Sequence, residues 1–134
     1  MKGLPPVLRE RKRYIAFRLI FNHNISEPED SSNLQRTEIE TKDLALAIWN
    51  NLISLFGDYY SANSGVWLEE FNQEYGILRC HSHAVDKIKV ALTLTARVSG
   101  VNMIPVILGV SGTIKKCKSK YIGGVKNADA ANGL

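Results

Sequence analysis

The chain lacks the features of membrane, secreted and disulfide-rich proteins. None of its apolar runs approaches the roughly 18–20 residues that cross a bilayer, and the N-terminal MKGLPPVLRERKRY lacks the apolar stretch of a signal peptide. The two cysteines, Cys80 and Cys117, are expected to be reduced thiols. These absences predict a cytoplasmic protein without a membrane partner. Its length of 134 residues and hydrophobic content of 45% are typical of one globular domain with a core.

Acidic residues are scarce at both ends of the chain. Residues 1–18 carry six basic side chains and one acidic side chain, and residues 112–126 carry five lysines and no acid. The segment between them holds six basic and eleven acidic residues. Charge that is clustered in this way favours a polyanionic partner over a merely solvated surface.

The C-terminal basic segment, LGVSGTIKKCKSKY at 108–121, reads as the end of a strand, a glycine-containing turn and a short helix. Ser111 or Thr113 can cap this helix, and free amides at its N-terminus would favour an anion. The lysines that follow would extend the site along a phosphate backbone. The residues predicted to contact a polyanion are Arg9, Arg11, Lys12, Arg13, Ser111, Gly112, Thr113, Lys115, Lys116, Lys118 and Lys120.

A second hypothesis is a ferredoxin-like regulatory module that binds a small anionic metabolite at the 109–113 turn and dimerises through its sheet. The distribution of charge favours a long polyanion, because a small ligand would not need excess positive charge at both ends of the chain.

The hydrophobic periodicity predicts a β-α-β-β-α-β order. Strands are expected at 14–21, 66–71, 75–81 and 103–110. One helix is expected from a capping box at Thr37 and Glu40 to Gly57, and the other from Ser82 to Gly100. Right-handed crossovers then give a ferredoxin-like (RRM-like) α+β sandwich whose four-stranded antiparallel sheet has the order 4-1-3-2. The last strand lies at an edge, where Pro105 costs no ladder bond. A short basic helix follows.

This single domain is expected to span residues 1–122. The sequence predicts a flexible loop at 22–36 and a disordered tail at 123–134.

Both faces of the predicted sheet are apolar, although two helices can cover only one of them. The strand patterns place Tyr14, Ile20, Met103 and Ile107 together on the open face. A face this apolar needs a cover from the chain's own termini or from another protein. These four residues are therefore the predicted protein-partner interface.

The sequence offers no catalytic or metal-binding constellation. Cys80 and His81 point to opposite faces of a strand, and a structural zinc needs about four ligands at workable spacing. Glu69 and Glu70 are neighbours on a strand and also point apart. Strand 75–81 lacks the aromatic series with which RNA-recognition motifs stack bases. We therefore expect no catalytic residue, no metal and no bound cofactor.

The two end motifs, LPPVLRERKRYIAF at 4–17 and LGVSGTIKK at 108–116, flank the predicted core. Together they resemble the archaeal ribonuclease P protein component 2 family, which is related to a small subunit of eukaryotic nuclear ribonuclease P and MRP. The resemblance covers about residues 4–121.

The resemblance implies a noncatalytic, RNA-binding subunit of the endoribonuclease that removes 5′ leaders from precursor tRNA. Magnesium would be associated with the RNA subunit, which does the chemistry. The implied partners are ribonuclease P RNA, ribonuclease P protein component 3 and, indirectly, precursor tRNA. Homodimerisation is left as an alternative use of the open face.

Overall fold

The computed structural model describes residues 11–21 and 38–123. The predicted loop at 22–36, the predicted tail beyond Gly123, and the predicted RNA-binding residue Arg9 therefore lie outside the described residues.

The described chain folds as an α+β domain with an antiparallel sheet. Its elements are β1 (Lys12–Phe21), α1 (Thr41–Asn63), β2 (Trp67–Phe71), β3 (Tyr75–His81), α2 (Val85–Thr93), β4 (Arg97–Val98), β5 (Val101–Ser111) and α3 (Ile114–Cys117), with a final π-helical turn at Lys118–Gly123. The strands lie in the order β2-β3-β1-β5-β4. The predicted order of the four long strands is thus confirmed.

The prediction of only four strands is wrong, because β4 adds a fifth. The second helix ends at Thr93 instead of continuing to Gly100. The chain then forms a tight hairpin in which Arg97 and Val98 pair with Asn102 and Val101. Ser99 and Gly100 form its two-residue turn with φ angles of 52° and 80°, as a type I′ hairpin requires. Gly100 is therefore a hairpin residue rather than a helix stop.

Gly57 interrupts the first helix without ending it. Its φ of 86° and ψ of 167° are not helical, yet helical structure resumes and continues to Asn63. The helix begins at Thr41 after Glu40, whose side chain makes no capping bond. Thr37 of the predicted capping box lies outside the described residues.

The core lies between the two longer helices and one face of the sheet. From β1 it contains the alternating residues Ile15, Phe17 and Leu19, which are at most 2% exposed. The helices contribute buried side chains at helical spacing: Leu44, Ile48 and Leu52 from α1, and Ile88, Ala91 and Leu92 from α2. These side chains belong to one hydrophobic cluster with the β1 residues, so both helices cover the same face of the sheet.

The prediction that Met103 and Ile107 share the open face with Tyr14 and Ile20 is wrong. Met103 is 3% exposed within the helix-covered core, and Ile107 packs against the same core. In the observed register Met103 lies opposite Phe21 and Ile107 opposite Phe17. The other set of β5 side chains, Ile104 and Val106, takes the open face.

Pro105 lies at a position of β5 where pairing with β1 requires no backbone N–H donor. It lies opposite Leu19, whose N–H donates to the Glu74 carbonyl on the β3 side at 2.7 Å. The backbone groups of Leu19 thus turn away from β5, and Pro105 occupies a non-hydrogen-bonded position of that pair. The missing N–H consequently removes no bond between β1 and β5.

Candidate nucleic-acid interface

The two basic segments meet at one end of the sheet. Tyr14 near the start of β1 lies opposite Ser111 at the end of β5. Arg11, Lys12 and Arg13 directly precede Tyr14, and the turn that opens α3 directly follows Ser111. Arg11 and Lys12 are exposed and Arg13 is half-buried. Two basic segments about 100 residues apart in sequence therefore lie at the same end of the sheet.

The C-terminal segment folds back over the open face of the sheet. Its apolar side chains Ile114, Cys117, Tyr121 and Ile122 recur at helical spacing. They pack on a small cluster of the open face that includes Tyr14, Ala16, Ile77 and Leu108. The Cys117 thiol donates to the Tyr14 carbonyl at 3.7 Å, and the Tyr121 hydroxyl donates to the Val110 carbonyl at 3.4 Å. The chain's own C-terminus thus covers part of that face.

This fold-back directs the lysines outward. Lys115, Lys116, Lys118 and Lys120 are all exposed, while Cys117 between them is buried. Lys118 forms an ion pair with Glu70 of β2. Within the described part of the chain, the other three lysines have no carboxylate partner. They are therefore available to phosphate groups.

Ser111 and Thr113 were the two predicted caps of the short helix, and Thr113 is the residue that caps α3. Its hydroxyl oxygen accepts the backbone N–H of Lys116 at 3.2 Å, which orders the first turn that carries Lys115 and Lys116. Ser111 is half-buried, and Gly112 is exposed with open space around its Cα. This geometry accommodates close approach of another backbone at Gly112.

Gly109 serves internal packing rather than a ligand. A Cβ at this position would lie 2.1 Å from the Tyr121 ring, because the ring rests directly on the glycine backbone. The turn at 109–113 is thus partly filled by the protein itself. The alternative of a metabolite site there is not supported.

The rest of the open face remains uncovered. Ile20 and Ile104 lie opposite each other and are 43% and 56% exposed, and Val106 is 37% exposed. Arg18 lies opposite Val106 and pairs with Glu74 at 2.8 Å at the edge of this patch. Ile20, Ile104 and Val106 are called the open-face patch below.

Sequence reasoning missed the C-terminal cover and the Glu70–Lys118 pair. The apolar spacing of Ile114, Cys117 and Tyr121 within the lysine-rich segment was the available signal for the cover. No local pattern predicts Glu70, since the pair depends on how β2 lies relative to the folded-back C-terminus.

The central strands carry no exposed aromatic series for base stacking. Ala16 and Ile77 are fully buried beneath the C-terminal segment, and Tyr75 is 9% exposed. Arg18 lies over the Tyr75 ring at 5.7 Å. This part of the sheet is thus closed to nucleotide bases.

Histidine and cysteine side chains near the end of β3 do not converge. Cys80 is buried in the main core, whereas the His81 ring stacks on His83 at 5.7 Å. Among the described residues, no three His, Cys, Asp or Glu side chains are grouped to hold a metal ion.

Both thiols are protected by burial. Cys80 and Cys117 are fully buried, and burial raises the pKa of each to about 11. Burial, with smaller effects of Cys80 and Asp86, also raises the pKa of Tyr60. A protonated thiol is a poor nucleophile, so neither cysteine is suited to covalent chemistry.

We expect both thiols to resist a disulfide reagent in the native protein at pH 8 and to react on unfolding. Because the native pKa values exceed the unfolded ones, the native state retains protons that the unfolded state loses above pH ~9. The free energy of unfolding should therefore fall as the pH rises from about 9 to about 11, by up to roughly 2–3 kcal/mol per thiol.

Thiol titration with and without denaturant and urea melts across this pH range measure both effects. A Cys117→Ala variant is the control, and its stability should fall less steeply with pH. Rapid modification of two thiols in the folded protein would contradict the burial.

The described helices include none that is both long and apolar enough to cross a bilayer.

The sequence matches the Rpp14/Pop5 family over residues 13–122. That range contains both the sheet and the folded-back basic segment. The chain belongs to the Rpp14/Pop5 family of ribonuclease P proteins. The resemblance seen in the two end motifs is thereby confirmed.

Relatives within this family match over most of their length. Ribonuclease P protein component 2 of Archaeoglobus fulgidus is 50% identical over 122 residues, which cover 91% of this chain and 98% of the relative. The corresponding protein of Methanocaldococcus jannaschii is 33% identical, covering 92% and 81%. That of Pyrococcus furiosus is 35% identical, covering 90% and 91%.

The fold also recurs in a solved structure. A chain in the cryo-EM structure of yeast ribonuclease MRP superposes with a TM-score of 0.57 and covers 92% of this chain and 95% of its own length. The sequence identity is 10%, so this likeness concerns the fold alone.

Proposed function

We propose that this chain is a noncatalytic RNA-binding subunit of ribonuclease P, which supports the catalytic domain of the RNA during 5′-leader removal from precursor tRNA. The observation that carries the proposal is the meeting of the two basic segments at one end of the sheet, in a chain of the Rpp14/Pop5 family. The site of action would be the cytoplasm.

The charges suit a phosphate backbone better than a single anion. They extend from Arg11–Arg13 across the sheet end to the lysines of the C-terminal segment, on a surface anchored by apolar packing. Lysine and arginine contacts of this kind release counterions and contribute most of the sequence-independent affinity for a nucleic acid. The exposed Gly112 backbone would allow a phosphate backbone to approach closely beside the C-terminal lysines.

The catalytic groups would belong to the RNA. In the described chain Glu69, Glu70 and Glu74 each pair with a cation, and the thiols are buried and protonated. Magnesium would be associated with the RNA subunit, with no cofactor held by this chain. Precursor tRNA would then be bound only indirectly.

The open-face patch would bind another protein subunit. Ile20, Ile104 and Val106 form an apolar strip that the C-terminal segment leaves bare. We assign this patch to ribonuclease P protein component 3, in place of the predicted pair Met103 and Ile107. Tyr14 is partly covered by the C-terminal segment, which leaves Ile20 as the member of the predicted set that is best exposed.

Replacing Lys115, Lys116, Lys118 and Lys120 together by glutamine should weaken binding to ribonuclease P RNA by orders of magnitude at moderate salt. Each lost phosphate contact removes its counterion release, which lowers the log–log salt slope by about 0.7–0.9. Titrations of both proteins at four salt concentrations give the affinities and slopes.

The thermal melt separates charge from folding. Exposed lysines contribute little to stability, and the anchoring residues Ile114, Cys117 and Tyr121 are retained, so the melting temperature should be nearly unchanged. A control is Lys42→Gln with Lys89→Gln, which removes two positive charges from the helices and should lower RNA affinity far less. An unfolded quadruple variant, or a salt slope equal to that of the unmodified chain, would contradict the proposal.

A further inference from the structure

Among the described strands, β2 has an outer edge that is left unpaired. β2 is the terminal strand of the sheet and pairs only with β3. In the described part of the chain no strand pairs with its other edge. Outward-facing backbone N–H and C=O groups at such an edge can pair with an added strand. The register shift between Leu68 and Glu70 interrupts the edge and favours a short added segment.

Two clefts flank this edge, one on each face of the sheet. The helix-side cleft has a volume of about 690 Å³ and lies between α1 and β2. Its lining is mainly apolar and includes Ala45, Leu46, Trp49, Val66, Trp67 and Leu68. Leu46 is 52% exposed, so apolar surface remains unburied there.

The second cleft differs in chemistry. Its volume is about 650 Å³, and it lies between β2 and the folded-back C-terminal segment. Glu69, Glu70, Phe71, Tyr75 and Lys118 are among its lining residues. The two carboxylates are paired with Arg79 and Lys118, yet each carboxylate can accept further donors.

We propose that the β2 edge binds an extended segment of a partner protein in which apolar and basic side chains alternate. Successive side chains of a strand point to opposite faces. An added strand would therefore place its apolar residues in the helix-side cleft and its basic residues beside Glu69 and Glu70. Main-chain bonds would supply affinity and the two clefts would supply specificity.

The dimensions fit a short segment. The helix-side cleft follows α1 from Thr41 to Trp49, a length of about 12 Å at 1.5 Å per residue. An extended chain covers this distance in about four residues.

Charge argues against a second copy of this chain as the occupant. Two β2 strands paired across a twofold axis would bring Glu69 and Glu70 of one copy close to the same residues of the other. Like charges directly opposite each other destabilise a strand pair. A basic partner strand would instead donate to the remaining acceptor sites of these two paired carboxylates.

A synthetic peptide tests the site directly. The probe is acetyl-Lys-Ile-Lys-Leu-Lys-Ile-amide, titrated calorimetrically into the full chain and followed by amide hydrogen exchange. Two control peptides are the block isomer acetyl-Lys-Lys-Lys-Ile-Leu-Ile-amide and the alternating peptide methylated on its backbone nitrogens. We expect saturable binding of the alternating peptide alone, with exchange protection gained at Trp67–Phe71.

Matched variants localise the binding. Leu46→Glu places a charge in the helix-side cleft and should weaken binding at least about tenfold. Leu55→Glu is the control, because Leu55 is 45% exposed on the same helix and does not line either cleft. The affinity of the Leu55→Glu variant for the alternating peptide should remain within about twofold of that of the unmodified chain, since most substitutions of exposed residues have small effects.

Several results would overturn the proposal. One is that the N-methylated peptide binds as tightly as the unmethylated alternating peptide. Another is that β2 gains no protection from amide hydrogen exchange. A third is that Leu46→Glu and Leu55→Glu change the peptide affinity equally. A homodimer that Leu46→Glu dissociates would assign the edge to a second copy instead. RNA titrations of the same variants keep the outcome separate from the RNA-binding function, which Leu46→Glu should leave intact.

Discussion

Gly76→Ala should strongly destabilise the protein. A Cβ at Gly76 would lie 2.2 Å from the Phe17 ring on the neighbouring strand. Phe17 is fully buried, so its ring has no free space to enter, and overpacking of this kind costs typically about 1–3 kcal/mol or more. For a domain whose total stability is about 5–15 kcal/mol, the melting temperature should fall by many degrees.

A second substitution tests the cause. Phe17→Leu removes the ring atoms that collide with the new methyl group, so the double variant Gly76→Ala/Phe17→Leu should be more stable than the sum of the single effects predicts. Gly112→Ala is the control, because its Cβ would meet no atom within 4 Å. Urea melts of the two single variants and the double variant give the free energies of unfolding. If the losses of the single variants simply add in the double variant, a direct contact between the new methyl group and the Phe17 ring is contradicted.

Ile104→Asp should abolish association with ribonuclease P protein component 3 while leaving the chain folded. Ile104 is 56% exposed at the centre of the open-face patch. An aspartate there would be buried without a partner in the proposed interface, and such losses at an interface centre reach several kcal/mol. Pull-down assays and thermal melts on the same samples measure association and folding.

Ile107→Asp provides the contrast. Ile107 packs against the helix-covered core, so its aspartate variant should lose thermal stability rather than partner binding alone. Phe17→Asp should be still more destabilising. Undiminished capture of component 3 by folded Ile104→Asp would place that interface on another surface.

The fold was largely predictable because local patterns agreed with one another. The alternation of Ile15, Phe17 and Leu19 and the helical spacing of Leu44 and Ile48 each indicated one buried face. The right-handed crossover rule then left a single strand order. β4 escaped prediction because two residues carry no periodic signal, and the Ser99–Gly100 turn resembled a helix end.

The faces of β5 could not be predicted from its sequence. Both alternating sets are apolar, so burial gives no preference for Met103 and Ile107 over Ile104 and Val106. The register also shifts between Ala16 and Phe17, leaving Leu108 between the partners of these two residues. Such a bulge changes which side chains share a face. Only the three-dimensional pairing resolves this choice.

The proposed RNA-binding surface was predictable in composition but not in arrangement. Clustered charge identified both basic ends, and the Thr113 cap followed from local spacing. The juxtaposition of the two basic ends depends on the pairing of Tyr14 with Ser111. The outward direction of the lysines depends on the packing of Tyr121 over Gly109. Both are long-range features.

Nuclease footprinting of ribonuclease P RNA with this chain tests the central claim most directly. The chain and its quadruple glutamine variant at Lys115, Lys116, Lys118 and Lys120 would be compared at equal concentration and moderate salt. The account predicts a discrete protected region in the RNA with the unmodified chain, and loss of that protection with the folded variant. Identical protection by both proteins, or no protection by either, would contradict an RNA-binding role for this surface.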